Sequence, residues 1–239
     1  MKNIMTEKLD NGNEAAVFTE GLSRIYPVGS EDVVGLKDIN LRITAGEMAV
    51  IKGESGSGKS TLLALMAGLD RPTAGRLIVA GIDLERAPGP LLTRFRREMI
   101  GMVFQSFNLL PTLTVLENIS LPALLAGTSH TAVRSRANEL LHWLGLEPRS
   151  GHFPSQLSGG EMQRTAIARA LINDPAIILA DEPTGNLDSR NAEAVVELLA
   201  ELNRNGRTII MATHSTLADT FATVKILLKD GTLIERAGV

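Results

Sequence analysis

Residues 48–61 read Met-Ala-Val-Ile-Lys-Gly-Glu-Ser-Gly-Ser-Gly-Lys-Ser-Thr. The apolar run Met48–Lys52 predicts a buried strand, and residues Ser60–Ala67 predict a helix that ends at Gly68. The segment between them matches the pattern G-x-x-x-x-G-K-[ST] at every fixed position. Glycines in such a turn expose backbone N–H groups that can converge on phosphate oxygens at the helix start. The stretch therefore predicts a phosphate-binding loop within an α/β fold.

Two side chains of this loop have predicted roles. Lys59 supplies a positive charge for the β- and γ-phosphates of a nucleotide, and the Ser60 hydroxyl is a predicted Mg²⁺ ligand. A flexible Gly/Ser turn without a ligand is the alternative, but the flanking strand and helix favour phosphate binding. We expect nucleotide contacts from Gly53, Glu54, Ser55, Gly56, Ser57, Gly58, Lys59, Ser60 and Thr61.

The composition of the chain excludes several kinds of chemistry. The 239 residues include no cysteine, which excludes disulfides, Cys-ligated zinc, iron–sulfur clusters and thiol nucleophiles. The formal net charge is −3, from 24 basic and 27 acidic residues, whereas a non-specific nucleic-acid binder is normally basic. We therefore predict no nucleic-acid partner. The short run of Arg94, Arg96 and Arg97 is interpreted as a solvated helix face rather than a phosphate patch.

No stretch of the sequence approaches the roughly 20 apolar residues that cross a bilayer. The longest candidate, Val115–Ala126, is interrupted by Glu117, Asn118, Ser120 and Pro122. The polar segment Met1–Glu14 lacks the apolar core of a secretory signal. We expect a polar tail at residues 1–16, no direct insertion into lipid and a cytoplasmic location.

The pattern of the remaining sequence predicts the fold class. Short apolar runs alternate with segments of helical period, which is typical of a mainly parallel sheet covered by helices. The middle of the chain differs, because from Phe107 to about Arg164 no strand is predicted and Ala132–Leu144 has helical spacing. We interpret this region as an inserted helical subdomain. Elsewhere we predict strands at Ala176–Asp181 and Thr208–Thr213, a helix at Asn191–Asn203, and a hairpin of Lys225–Lys229 and Thr232–Glu235 around Asp230–Gly231.

Two carboxylates follow the predicted strand that begins at Ala176. Asp181 and Glu182 are expected at the C-terminal edge of the sheet, where ligands bind in open α/β folds. Asp181 is suited to holding Mg²⁺, and Glu182 to orienting or deprotonating an attacking water. An acidic turn after a core strand is the alternative. The phosphate loop favours the functional interpretation, because Mg²⁺-nucleotide chemistry needs both groups.

A second helix start with exposed glycines lies between these motifs, at Leu157-Ser158-Gly159-Gly160-Glu161. Ser158 can cap the helix and Glu161 can complete a capping box. Gly159 and Gly160 would expose N–H groups to an anion. A simple helix cap is the alternative, but it accounts only for Ser158 and Glu161.

With this motif the chain resembles the ATP-binding subunits of ABC transporters, whose signature reads LSGGQ or LSGGE. The resemblance implies a head-to-tail homodimer in which each ATP lies between the phosphate loop of one subunit and the signature of the other. It also implies a single ABC ATPase domain at residues 17–239. This domain would have a P-loop NTPase (RecA-like) core at 17–106 and 165–239, an antiparallel β subdomain and a helical subdomain at about 107–164.

The resemblance assigns roles to four further positions. Gln105 is similar to the glutamine that senses Mg²⁺ and water, and His214 to the switch histidine that contacts the γ-phosphate and holds Glu182. Asp188, in Asn186-Leu187-Asp188, resembles a contact to the opposite subunit, and Tyr26 resembles the aromatic residue that stacks on adenine. Taken alone, Gln105 could be a polar strand end, His214 a capping or surface histidine and Tyr26 a packing residue. The implied catalytic set is Glu182, His214, Gln105 and Lys59, and the implied Mg²⁺ ligands are Ser60, Gln105 and Asp181.

Residues 101–111 and 180–188 most resemble the lipoprotein-release (LolD-like) and macrolide-export (MacB-like) branch. This branch implies an ATPase that powers a separate integral membrane permease from its cytoplasmic face. Phe107, Leu109 and Leu110 lie where such subunits receive the permease, although core packing is an equal alternative. A regulator of the FtsE kind, a non-transport ABC ATPase and a nucleotide kinase are the rival functions. The last two lack support from the motifs, since kinases need no signature and non-transport members carry coiled coils, zinc modules or tandem domains.

Overall fold

The computed structural model describes residues 15–29 and 31–238. Its strands are β1 (Ala15–Val28), β2 (Glu31–Thr44), β3 (Met48–Lys52), β4 (Ala74–Val79), β5 (Ile82–Asp83), β6 (Ile100–Val103), β7 (Ile177–Asp181), β8 (Thr208–Ala212), β9 (Val224–Lys229) and β10 (Thr232–Gly238). Its helices are α1 (Lys59–Met66), α2 (Gly89–Glu98), α3 (Val115–Leu125), α4 (His130–Trp143), α5 (Gly159–Leu171) and α6 (Ser189–Arg204). Strand β1 begins inside the tail predicted at 1–16, and the rest of that tail lies outside the described residues.

The central sheet has six strands in the order β10–β9–β3–β8–β7–β6. All neighbours are parallel except β9 and β10. These two form the predicted hairpin, and its turn residues Asp230 and Gly231 both have the positive φ of a type I′ turn. Strands β7 and β8 are almost entirely buried, as expected when helices cover both faces of a parallel sheet. The predicted α/β class is confirmed, and β3 has the predicted bounds.

A second, antiparallel sheet has the order β2–β1–β4–β5. Helix α1 lies between the two sheets, and its buried Leu62, Leu63 and Met66 belong to a core that includes Ile39 of the second sheet and Ile51 of the central one. Gly68 follows the helix with φ +64°, the left-handed conformation of a terminating glycine. This packing holds the start of α1, and with it the phosphate loop, against the central sheet.

The region between β6 and β7 is helical, as predicted. Helices α3, α4 and α5 share a second core that includes Ile119, Val133 and Ile167. Helix α5 continues past Arg164, so the boundary predicted at 164/165 falls inside a helix rather than in a loop. The exact division into core and helical subdomain therefore stays a proposal.

Helix α3 is the segment whose polar interruptions argued against a membrane span. Asn118 is buried in it, accepts a hydrogen bond from the N–H of Leu110 and donates to the carbonyl groups of Leu110, Leu113 and Thr114. Within residues 15–29 and 31–238, no helix combines the length and apolar character that a bilayer span requires.

The run of three arginines lies on α2, as predicted, but only Arg94 is exposed, whereas Arg96 and Arg97 are half-buried rather than fully solvated. Arg94 pairs with Glu98 at 2.8 Å, while Arg96 and Arg97 donate to the carbonyl groups of Gly68 and Leu125. Carbonyl and carboxylate partners thus occupy these cations within the chain.

Candidate active site

A cavity of about 570 Å³ opens beside the C-terminal ends of the central strands. Its lining includes residues from every predicted ATP or catalytic segment. These predicted residues are Tyr26, Ser55, Gly56, Gly58, Lys59, Ser60, Thr61, Gln105, Glu182 and His214. The predicted signature residues and Asp188 are not part of this lining, and neither are the predicted ATP contacts Gly53, Glu54 and Ser57 or the predicted Mg²⁺ ligand Asp181.

Close packing at Gly53 and hydrogen bonds from Lys59 hold the phosphate loop in place. Its glycine at 53 has φ +152°, and a Cβ atom there would lie 2.4 Å from the Leu228 carbonyl oxygen. Lys59 is 7% exposed, and its Nζ donates to the carbonyl oxygens of Gly53 and Glu54 at 2.8 and 2.9 Å. The Ser57 Oγ atom is buried without a hydrogen-bond partner. A buried cation inside a loop that leaves a polar atom unsatisfied fits a site for an anionic ligand.

A pair of oxygen ligands lies at the start of α1. Ser60 Oγ donates to Asp181 Oδ1 at 3.0 Å, although the two residues are 121 positions apart. Burial raises the pKa of Asp181, and the charge of Glu182 raises it further, whereas Ser60 and Lys59 act in the opposite direction. A hydroxyl and a carboxylate side by side fit Mg²⁺, which prefers oxygen ligands. A bound cation would also offset the cost of keeping the Asp181 charge buried.

Glu182 and His214 form the second feature of the site. Glu182 Oε2 lies 3.0 Å from His214 Nδ1 and also accepts a 3.4 Å hydrogen bond from the His214 backbone N–H. Glu182 has φ +44°, a strained conformation for a non-glycine residue, and its own N–H donates to Ala212 O. The side chain of Glu182 is 14% exposed and that of His214 is 72% exposed. The pair is therefore a carboxylate at the cavity wall with a solvent-facing histidine beside it.

Gln105 follows β6 and reaches the same cavity. Its amide lies against Gly185, where a Cβ atom would be 2.7 Å from Gln105 Nε2. Asn186 Nδ2 donates to the Gln105 carbonyl oxygen at 3.0 Å. The turn that follows Glu182 thus holds Gln105 in position.

The signature segment lies at the start of α5, and the predicted capping box is confirmed. Ser158 Oγ accepts from Glu161 N at 3.3 Å, and Glu161 Oε2 accepts from Ser158 N at 2.7 Å. Arg149 pairs with Glu161 at 2.8 Å, and together with the Ser158 N–H it lowers the pKa of Glu161 to about 2.

The two signature glycines differ in their surroundings. A Cβ atom at Gly160 would lie 2.2 Å from Asn191 Oδ1, so packing within the chain already requires glycine there. At Gly159 the nearest contact would be an ordinary 3.4 Å to Leu187 Cδ2. Asn191 in turn donates to Asp188, which caps α6. Asn191 therefore packs against Gly160 and hydrogen-bonds to Asp188.

Tyr26, in β1, contacts Asp70 and Arg24, which the sequence did not single out. The Tyr26 hydroxyl donates to Asp70 Oδ2 at 2.9 Å, and the Arg24 guanidinium lies 4.3 Å from the ring centroid. Val33 and Val34 of β2 also line the cavity and are 50% and 46% exposed. In the sequence this apolar wall appears only as the adjacent pair Val33-Val34, which by itself does not indicate a ligand.

The family profile described as "ABC transporter" matches residues 36–185, which is more than half of the chain and includes the phosphate loop, the signature and both carboxylates. The chain belongs to the ABC transporter family. This cassette is also similar to curated and solved members of that family. The fold, the cavity and the resemblance noted in the sequence agree with this membership.

The macrolide export ATP-binding/permease protein MacB of Rhodopseudomonas palustris (strain HaA2) is 49% identical over 220 residues, covering 92% of this chain and 34% of the relative. An uncharacterised ABC transporter ATP-binding protein of Thermotoga maritima is 46% identical over 218 residues, covering 90% of this chain and 93% of the relative. The cassette thus spans about a third of the length of the MacB relative.

Two solved structures define the fold of the cassette further. The dimeric, post-hydrolysis structure of the ATP-binding cassette MJ0796, bound to ADP and Pi, has a TM-score of 0.87 and 43% identity and covers 93% of this chain and 98% of its own. The structure of cbiO1 from Clostridium perfringens has a TM-score of 0.83 and 28% identity, with 95% and 89% coverage. The P-loop NTPase fold class predicted from the sequence is confirmed.

Proposed function

We propose that two copies of this cassette bind and hydrolyse ATP head to tail and so power a membrane permease of the MacB or LolD type. One observation carries the proposal: residues of the phosphate loop, Gln105 and the Glu182–His214 pair converge on one cavity, and Asp181 joins it through its hydrogen bond with Ser60, while the signature lies outside it. A single copy therefore holds the catalytic groups but lacks one wall of the site.

Binding follows from the lining of the cavity. Tyr26, with Val33 and Val34 beside it, offers an apolar surface to the adenine base, and the phosphate loop with Lys59 holds the phosphates. Ser60, Gln105 and Asp181 would hold Mg²⁺. When bound, this ion neutralises phosphate charge.

Catalysis by the chain's own residues centres on Glu182. Its carboxylate accepts a proton from the water whose oxygen bonds to the γ-phosphorus, as the bond from that phosphorus to the β–γ bridging oxygen breaks and ADP leaves. The backbone N–H of His214 and the contact of its Nδ1 with Glu182 Oε2 orient the carboxylate toward this water. Lys59 balances the charge that develops on the leaving phosphate.

The second copy completes each site with Ser158, Gly159, Gly160 and Glu161. Gly159 supports this step, because nothing in its own chain comes closer than an ordinary contact to a Cβ atom placed there. Asp188, near the N-terminus of α6, is proposed to contact the opposing subunit. The MJ0796 cassette, solved as a dimer bound to ADP and Pi, supports a dimer of this chain.

The permease is the proposed membrane partner. The MacB relatives are ATP-binding/permease proteins by name, and this chain covers 34% of their length. We infer a position at the cytoplasmic face of the membrane, reached through the permease. Phe107, Leu109 and Leu110 are the proposed docking residues. The exporter names of these relatives favour transport over the FtsE-like alternative.

Glu182→Gln tests the proposal. We expect turnover to fall by about 10²–10⁴-fold, because the general base is lost, while ATP affinity is kept. The variant should also accumulate as a nucleotide-bound dimer in size-exclusion chromatography. Glu193→Gln, an exposed change on α6, is the matched control and should hydrolyse ATP like the parent. Near-normal turnover of Glu182→Gln would remove Glu182 from the role.

A further inference from the structure

Lys52 is a charged residue at the end of a strand that is otherwise fully buried. Met48, Ala49, Val50 and Ile51 are all 0% exposed, and Lys52 follows them directly before Gly53. Its side chain is only 19% exposed and is not part of the cavity lining. A strand that merely leads into a phosphate loop needs no cation at this point, because burying an ammonium group is costly unless it is paired.

The partners of Lys52 lie in the segment that follows His214. Lys52 Nζ donates to the Ser215 carbonyl oxygen and lies 2.7 Å from Asp219 Oδ1. Asp219 belongs to the 3₁₀ turn Leu217–Thr220. The Asp219 Oδ1 atom is itself buried, so removal of Lys52 would leave a buried carboxylate oxygen without its cation.

The backbone explains why this contact matters for His214. Strands β3 and β8 pair in parallel up to Ile51 and Ala212, and Thr213 N then donates to Ile51 O at 3.0 Å. His214 is the next residue, and its own N–H donates to Glu182 rather than to β3. The other hydrogen bonds of residues 215–219 are local: the N–H groups of Ser215, Leu217 and Asp219 donate to Thr213 Oγ1, Ser215 Oγ and Thr216 O. Lys52 is thus the side chain that ties this segment to β3 just beyond the last ladder bond.

We propose that Lys52 is a positioning residue that holds His214 in place against Glu182 through Ser215 and Asp219. The inference rests on the proposed ATPase function and adds a residue to it. Because Lys52 adjoins Gly53, the same side chain joins the phosphate loop to the His214 segment. It touches no reacting atom, so its effect should appear in the rate of hydrolysis rather than in nucleotide binding.

Lys52→Met removes the charge and keeps the length of the side chain. In steady-state ATP hydrolysis we expect kcat to fall about 10-fold with KM changed less than about twofold, since small displacements of catalytic groups cost rate. Asp219→Asn should lose a similar factor, and the double variant should lose no more than the worse single one. Lys52→Arg, which keeps the charge, should recover most of the rate. Arg94→Met, which breaks an ion pair on α2, is the control and should keep the parental rate.

The decisive comparison places Lys52→Met in a His214→Ala background. If Lys52 acts through His214, the rate should not fall further there. An unchanged kcat in Lys52→Met would overturn the inference, and so would a loss that persists undiminished without His214 or appears as a raised KM. If Lys52→Met does not fold, Asp219→Asn carries the same test. A parent that hydrolyses ATP, with Glu182→Gln inactive and Lys52→Met normal, would refute only the role of Lys52.

Discussion

The chain has two glycine-rich helix N-termini, at α1 and α5, and their backbone N–H groups are satisfied in different ways. At α1 the N-cap is Gly58, in the left-handed conformation and without a side-chain hydrogen bond to the first turn. At α5 the N-cap is Ser158, whose hydroxyl accepts a hydrogen bond from the Glu161 N–H, while the Glu161 carboxylate accepts one from the Ser158 N–H. The first helix therefore leaves its N–H groups open toward the cavity, whereas the second satisfies part of its own on an open surface.

The acidic residues near these two helices show the same contrast. Burial raises the pKa of Asp181 beside α1, while Arg149 and Ser158 lower the pKa of Glu161 in α5. Asp181 is partly buried with the Ser60 hydroxyl as its hydrogen-bond partner, whereas Glu161 is already paired with Arg149 and the Ser158 N–H. The difference supports the proposal that the α1 end binds phosphate within its own chain, whereas the α5 end is capped by its own residues and acts on another copy.

Lys59→Ala is the largest expected perturbation of the α1 end. Loss of the buried cation should weaken ATP binding and catalysis together, by about 10²–10³-fold in kcat/KM, because the phosphate charge loses its closest counter-charge. Equilibrium nucleotide binding and steady-state hydrolysis measure the two effects. Arg94→Ala, outside the cavity lining, should change neither, and an unaltered Lys59→Ala enzyme would contradict the phosphate-loop interpretation.

Gly159→Asp tests the α5 end. A carboxylate in the first turn of a helix is favourable to the fold, but it would repel the phosphates of an ATP held by the opposite copy. We expect a thermal midpoint close to that of the parent and a fall in hydrolysis of about 10–10²-fold. Gly160→Ala is the contrasting change, since it clashes with Asn191 inside the chain and should lower the midpoint itself.

Mixing the two variants separates a site shared between copies from a site within one. In a dimer of Lys59→Ala and Gly159→Asp chains, one of the two sites combines an intact phosphate loop with an intact signature. The mixture should therefore hydrolyse ATP faster than either variant alone. Activity equal to the average of the two separate variants would argue against a shared site.

Tyr26→Ala should have a smaller effect, confined to binding. Stacking on an aromatic ring is worth about 1–3 kcal/mol per base, so the KM for ATP should rise about 10-fold with little change in kcat. Tyr26→Phe keeps the ring and loses only the hydrogen bond to Asp70, and it should bind ATP nearly as well as the parent. Equal losses in the two variants would assign the role to the hydroxyl rather than to the ring.

The smallest expected effect is the pH dependence of the α5 cap. Because the folded pKa of Glu161 is about 2, below its ordinary value of 4.5, its ionised form stabilises the fold above pH 4.5. This contribution is lost as the pH falls from 4.5 toward 2. In denaturant titrations Glu161→Gln should be less stable than the parent at pH 7, and the gap should narrow on acidification. A gap that does not depend on pH would show that ionisation of Glu161 contributes nothing.

The elements that sequence reasoning located are those set by local rules. Strand β3 has the predicted bounds, and β8 ends one residue before the predicted end, because short buried strands read as apolar runs. Helix α6 begins at Ser189, two residues before the predicted Asn191 and directly after its cap Asp188. Helix α3 was not predicted, since its buried Asn118 makes the apolar pattern irregular. Val33 and Val34 were missed because an exposed strand face carries no local sign of a ligand.

The chain's sequence by itself determined the glycine loop, the capping box and the carboxylates at a strand end, since each depends on neighbours within a few residues. Only the tertiary structure brings these groups together: Ser60 with Asp181, Glu182 with His214, and Lys52 with Asp219. The family resemblance implied the first two pairs, and no sequence pattern pointed to the third. These pairs form because β3, β8 and β7 lie side by side in the sheet although they are distant in the chain. Strand order depends on how whole faces pack, and no local pattern contains that information.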